Sequence, residues 1–191
     1  VPTLTWRSTM TVPRVITLIE NESKFKLRFN PAVELNKYKN KKNEINISLS
    51  KEINLSNNDI VKSGCFDINF NADMTTADNL IISFGNILEK LDIYFDKKSG
   101  IVTIDRSKSG QTAFSNFFKN NILCNSLQLK KSQDLNIRIL IDKTSLELFW
   151  NNGENVMTAL FFPVYQYDFV KISGNTSTDF IKGFNLSGFS K

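Results

Sequence analysis

Residues 135–153, Leu-Asn-Ile-Arg-Ile-Leu-Ile-Asp-Lys-Thr-Ser-Leu-Glu-Leu-Phe-Trp-Asn-Asn-Gly, decide the fold class. Leu135, Ile137, Ile139 and Ile141 alternate with Asn136, Arg138, Leu140 and Asp142, the period-two pattern of a half-buried strand. From Ser145 to Trp150 a second strand puts Leu146, Leu148 and Trp150 on one face and Glu147 and Phe149 on the other. Asn151-Asn152-Gly153 offers residues that tolerate positive φ, which a tight hairpin requires. Val156 to Phe162 returns as the partner strand and stops at Pro163.

Working outward, the same reasoning predicts strands at Lys24 to Phe29, Cys65 to Asn71, Asn79 to Phe84, Leu91 to Asp96 and Ile101 to Asp105. Lys97-Lys98-Ser99-Gly100 joins the last two. Val170 to Ser173 and Phe184 to Phe189 close the chain. No segment carries a 3.6-residue apolar stripe over three turns. Glu34 to Lys39 and Ala113 to Lys119 suit one helical turn each. Short strands with frequent turn signals predict an all-β, two-sheet antiparallel sandwich of jelly-roll or concanavalin-like type, with at most one or two helical turns.

The 191 residues are 41% apolar, with sixteen Phe against eight Gly and four Pro, which suits one filled core. No apolar run approaches the roughly 20 residues of a membrane helix. The first residues lack a basic stretch followed by an apolar one, so no signal peptide is read there. The net charge is +5, but the only dense basic run is Lys37 to Lys42, read as a solvated, turn-like stretch. Elsewhere the two signs alternate, and nucleic acid is not expected as a partner.

There is no histidine, which removes the commonest general base and metal ligand together. Cys65 and Cys124 are too few for a thiolate zinc site, and no cofactor is expected. Their apolar neighbours suit buried free thiols, while their spacing leaves a disulfide open. Asp96, Asp105, Asp142 and Glu147 near strand ends read as surface acids paired with Arg106, Arg138 or Lys143. Nothing suggests the apolar pocket that would raise one carboxyl pKa for catalysis. Five Asn-x-Ser/Thr sequons begin at Asn21, Asn46, Asn54, Asn175 and Asn185. They matter only in a glycosylating host.

Four stretches carry a resemblance. Trp6-Arg7-Ser8-Thr9-Met10-Thr11-Val12-Pro13-Arg14 comes first, then Phe29-Asn30-Pro31-Ala32-Val33-Glu34-Leu35. Tyr94-Phe95-Asp96 with Ser99-Gly100 leads to Ile104-Asp105-Arg106-Ser107 and Ser109-Gly110. The last is Leu140 to Phe149, followed by Asn152-Gly153-Glu154 and Phe161-Phe162-Pro163. In order and spacing they resemble the C-terminal β-sandwich of glycoside hydrolase family 32, the invertases, levanases, inulinases and other fructan hydrolases. Val15 stands where that family usually has Glu, Ala32-Val33 inverts its usual apolar order, and Lys143 stands where it commonly has Arg.

The resemblance implies a division of the chain: residues 1–14 as the junction from a preceding catalytic propeller, residues 15–191 as one sandwich. It implies Trp6, Arg7, Met10 and Arg14 at that junction, and a secreted, periplasmic or cell-surface enzyme. Retaining glycosidases use two carboxylates about 5 Å apart, which the family holds in Asn-Asp-Pro, Arg-Asp-Pro and Glu-Cys segments of the propeller. Neither Asp-Pro nor Glu-Cys occurs here, so no catalytic residue is expected in this chain.

Three roles follow. The first is a structural module packing on the five-bladed propeller of a fructan- or sucrose-cleaving enzyme. The second is fructan binding, because family-66 carbohydrate-binding modules resemble this sandwich and bind terminal fructosides of levan. Asp105, Arg106, Glu147 and Trp150 have the chemistry for that, although Trp150 shares the face of Leu146 and Leu148 and so also suits the core. The third is an oligomerisation module.

Overall fold

The computed structural model describes residues 2–3, 10–21, 24–127 and 134–190. Two strands, β1 (Arg14–Asn21) and β2 (Lys24–Pro31), form a separate antiparallel ribbon. A 3-10 helix at Val33–Tyr38 leads into β3 (Lys39–Ser50) and β4 (Ile53–Ser56). After a single helical turn, α1 (Asp59–Lys62), come β5 (Phe66–Asp73), β6 (Asn79–Gly85), β7 (Lys90–Asp96) and β8 (Ile101–Asp105). A second short helix, α2 (Asn116–Asn120), precedes β9 (Leu123–Leu127), β10 (Asp134–Asp142), β11 (Ser145–Trp150) and β12 (Asn155–Leu160). β13 (Phe169–Gly174) and β14 (Ile181–Phe189) complete the chain.

Twelve of these strands form two six-stranded sheets, in the orders β12-β11-β10-β5-β14-β3 and β4-β13-β6-β7-β8-β9. Every pairing is antiparallel. Alternate residues point inward, so Ile137, Ile139, Leu146, Leu148, Phe66, Ile68 and Phe70 of the first sheet meet Leu80, Ile82, Phe84, Ile93, Phe95 and Ile104 of the second, all buried. Trp150 spans the gap and meets Phe95 edge-on at 5.9 Å between ring centres. The all-β sandwich expected from the period-two pattern is the architecture observed. No helix among the described residues is long and apolar enough to cross a membrane.

Four local readings change. Lys37 to Lys42 is not a turn-like loop: the 3-10 helix runs into β3, the edge strand of the first sheet. Lysine on an edge strand discourages pairing with another chain, so a basic run there is compatible with strand geometry. Helix α1 was not expected; Asn58 makes it by accepting hydrogen bonds from the Ile60 and Val61 amides. The β11–β12 connection holds four residues, because Trp150 pairs with Asn155, and φ is positive at Asn151, Asn152 and Gly153. The cysteines are free thiols, half-buried rather than buried.

Candidate functional site

The segment entering the ribbon is held against the outer face of the first sheet by one carboxylate. Glu147, on the outward side of β11, accepts from the Val12 amide at 2.7 Å and from Arg14 Nη2 at 2.5 Å. Arg14 also donates to Thr158 Oγ1 at 3.0 Å, and its guanidinium lies 5.2 Å from the Phe149 ring centre. Phe149 is thereby buried although it faces away from the core. Charge-assisted bonds of this kind are shorter and stronger than neutral ones. The Glu147 side chain is only 6% exposed and Arg14 20%, so the pair is shielded from solvent.

The ribbon itself rests on the β11–β12 turn. The Phe29 amide donates to the Gly153 carbonyl at 2.8 Å, Asn30 donates to the Asn152 carbonyl at 3.0 Å, and Arg28 pairs with Glu154 at 2.8 Å. A Cβ at Gly153 would stand 2.4 Å from the Phe29 carbonyl oxygen, and its φ is +81°. Only glycine permits both the turn and this close approach.

Register divides the ribbon into two faces. Thr17 pairs with Arg28 and Val15 with Asn30 on the side that meets the turn. On the other, Ile16 pairs with Phe29 and Leu18 with Leu27, next to Phe25. That second face is bare: Ile16 is 60% exposed, Leu18 65%, Phe25 70% and Leu27 49%. Met10, 93% exposed, belongs to the same margin, where it lines an open depression with Val12, Pro13, Arg14, Ile16 and Phe29. The signal was present in the alternation Phe25, Leu27, Phe29, but sequence alone does not say that the strand stands outside the sandwich.

Among the junction residues, Arg14 and Met10 are placed as just described, and Trp6 and Arg7 lie outside the described residues. The four residues considered for sugar binding do not come together. Asp105 ends β8 on the outer face of the second sheet and accepts from the Ser107 amide at 2.8 Å. Arg106 is 7% exposed and donates to the carbonyls of Asn121, Ile122 (3.3 Å) and Leu160 (3.1 Å), with the Phe118 ring 4.3 Å from its guanidinium. It ties three chain segments and offers nothing outward. Glu147 is engaged by Arg14, and Trp150 is wholly buried in the core.

The expected pairing of surface acids is also corrected. Arg138 holds Asp67, which shares its two oxygens with Arg138 and Lys39 and is fully buried. Asp96 caps the turn amides of Lys98 and Ser99, and Asp142 accepts from the Lys143 amide and from the Cys65 thiol at 2.9 Å. Burial, reinforced by the Asp142 carboxylate, raises the Cys65 pKa to about 11. Among the described residues no group of His, Cys, Asp and Glu is disposed to hold a metal ion.

Residues 32–186 match the family model described as glycosyl hydrolases family 32 C terminal. The chain belongs to that family. It is 26% identical over 170 residues to a levanase of Bacillus sp. (strain L7), a match covering 85% of this chain and 18% of the levanase. It is 32% identical over 98 residues to a sucrose-6-phosphate hydrolase of Streptococcus mutans, covering 51% of this chain and 19% of that protein. In fold, this family 32 C-terminal sandwich superposes on the exo-inulinase of Aspergillus awamori with a TM-score of 0.79 at 20% identity, covering all of this chain and 38% of the inulinase. It therefore spans a minor part of the length of each of these relatives.

Proposed function

We propose that this sandwich is a non-catalytic module that packs on the catalytic propeller of a secreted fructan- or sucrose-cleaving hydrolase and stabilises it. One observation carries the reading: a β-ribbon pinned to the sandwich by its polar side leaves Ile16, Leu18, Phe25 and Leu27 bare on the other. A two-stranded ribbon has no second layer of its own, and a contiguous apolar face of this kind marks an interaction surface. Its position supports the assignment, because the residues matching the family's propeller-to-sandwich junction lead directly into it. Names of relatives such as levanase and extracellular exo-inulinase support the substrate class and the secreted location. The absence of Asp-Pro and Glu-Cys segments supports a chain without the family's catalytic carboxylates.

The test compares the 191-residue chain alone with the same chain fused behind a family 32 catalytic domain. Alone, it binds an apolar-surface dye and melts at a lower temperature than in the fusion. Leu18→Lys with Phe25→Lys abolishes dye binding and lowers the fusion's melting temperature while leaving the isolated chain's unchanged. Equal melting temperatures in both contexts, or dye binding that survives the double substitution, would sink the reading. Concentration-dependent dimerisation of the isolated chain, lost in the double variant, would point instead to an oligomerisation module.

A further inference from the structure

Among the described residues, the ribbon and its lead-in occupy the outer face of the first sheet on the β11–β12 side. Across the other strands runs a row of planar polar side chains. Asn46 of β3 pairs with Asn185 of β14, Asn185 with Asn69 of β5, and Asn69 with Arg138 of β10. One step along, Asn71 of β5 pairs with Asn136 of β10. Directly paired residues share a face, so all six point outward, away from the core. Neighbouring strands lie about 4.8 Å apart, so the four-strand row extends roughly 14 Å.

Hydrogen bonds along this row hold the amides in orientation yet engage only one of the two polar atoms of each asparagine. Asn185 Nδ2 donates to Asn46 Oδ1 at 2.8 Å, Asn136 Nδ2 to Asn71 Oδ1 at 3.0 Å, and Asn69 Nδ2 to Asp67 Oδ1 at 2.9 Å. That leaves Asn46 Nδ2 and Asn71 Nδ2 as donors, and the Oδ1 atoms of Asn185, Asn69 and Asn136 as acceptors. Arg138 spends Nε and Nη2 on Asp67 and adds Nη1 as a further donor. Asn46, Asn71 and Asn136 are exposed, and Asn185, Asn69 and Arg138 half-buried. Among the described side chains, charges beside the row come in both signs, Lys39, Arg138 and Lys182 against Glu44, Asp67, Asp73 and Asp134.

We propose that this row is a binding face for a neutral saccharide chain. Adjacent hydroxyls each donate and accept, which matches donors and acceptors interleaved on neighbouring strands. Opposed charges give a phosphate or sulfate polymer no field to follow. Phe149, which ends the row beside Arg138, is buried under Arg14 and gives this end of the row no aromatic platform. Binding rests on hydrogen bonds and is weak, with Kd on the order of 1 mM. The proposal does not depend on propeller docking, and its residues differ from the four considered from sequence.

Affinity electrophoresis of the chain, produced in a host that does not glycosylate because Asn46 and Asn185 both open sequons, tests it against dextran, inulin, levan and heparin. At least one neutral polymer retards the chain and heparin does not. Asn46→Ala with Asn185→Ala, and separately Asn71→Ala with Asn136→Ala, weakens retention at least tenfold without changing the melting temperature. Thr103→Ala, on the outer face of the opposite sheet, leaves it unchanged. Failure of every neutral polymer to retard folded protein, stronger retention by heparin, or retention unaffected by both double variants would each overturn the assignment.

Discussion

Arg14 and Glu147, separated by 133 positions in the chain, meet at 2.5 Å on the outer face of the sandwich. Their pairing closes the approach to Phe149 and draws the Val12 amide onto the same carboxylate. The segment that leads into the ribbon is thus oriented by a residue in the middle of a distant strand. Removing one partner leaves the other shielded and uncompensated, which costs more than the pair contributes. Arg14→Ala should therefore destabilise the chain by about 3 kcal/mol in urea denaturation. Glu147→Ala should do so comparably, and the double variant should cost clearly less than the sum. Additive losses would show that the two groups are not coupled.

Gly153 sets the distance between ribbon and sandwich. Gly153→Ala places a methyl group against the Phe29 carbonyl in a turn at φ +81°. The expected result is a loss of about 1–3 kcal/mol and faster hydrogen exchange at the Phe29 amide, whose acceptor is the Gly153 carbonyl. Unchanged exchange there would mean the turn does not hold the ribbon.

Trp150 is wholly buried against Phe95, so its substitution is a matter of packing. Trp150→Ala should cost about 3–5 kcal/mol, whereas any saccharide retention should survive in Trp150→Phe measured below its melting temperature. Loss of retention in a folded Trp150→Phe chain would restore it to a binding role.

The Cys65 thiol, held up to about 11 by burial and then by Asp142, should react slowly with iodoacetamide at pH 8. Asp142→Asn removes the charge that opposes the thiolate and should speed the reaction severalfold. Because the folded pKa lies above the unfolded one, this group's contribution is full below about pH 8.5 and declines as pH rises toward 11. A reaction rate indifferent to Asp142→Asn would remove that carboxylate as a cause.

Asp73 behaves in the opposite sense. Hydrogen bonds from Lys182 and Thr75 hold its pKa at about 2, so its contribution is present above the ordinary carboxylate range and disappears as pH falls toward 2. Lys182→Ala should move the Asp73 midpoint, followed by carboxyl NMR shifts, upward toward about 3.9. A midpoint that stays put would assign the depression to Thr75 alone.

Local chemistry made most strands and the two-sheet class legible. Period-two runs such as Leu135 to Ile141 state which residues must be hidden, and Asn151-Asn152-Gly153 states where the chain must turn, because these depend on neighbours a few residues away. The same local rules could not assign the outer faces. Whether Phe149 and Glu147 meet water or another segment depends on what lies across them, and only the fold brings Val12 and Arg14 there. It also buries Trp150 and encloses Arg106 among backbone carbonyls, although a side chain suited to sugar and one suited to the core look alike in a sequence. Asn46, Asn69, Asn136 and Asn185 are scattered through four strands and carry no shared motif. The order β10-β5-β14-β3 aligns them, and hydrogen-bonded register between distant segments is a property of tertiary structure.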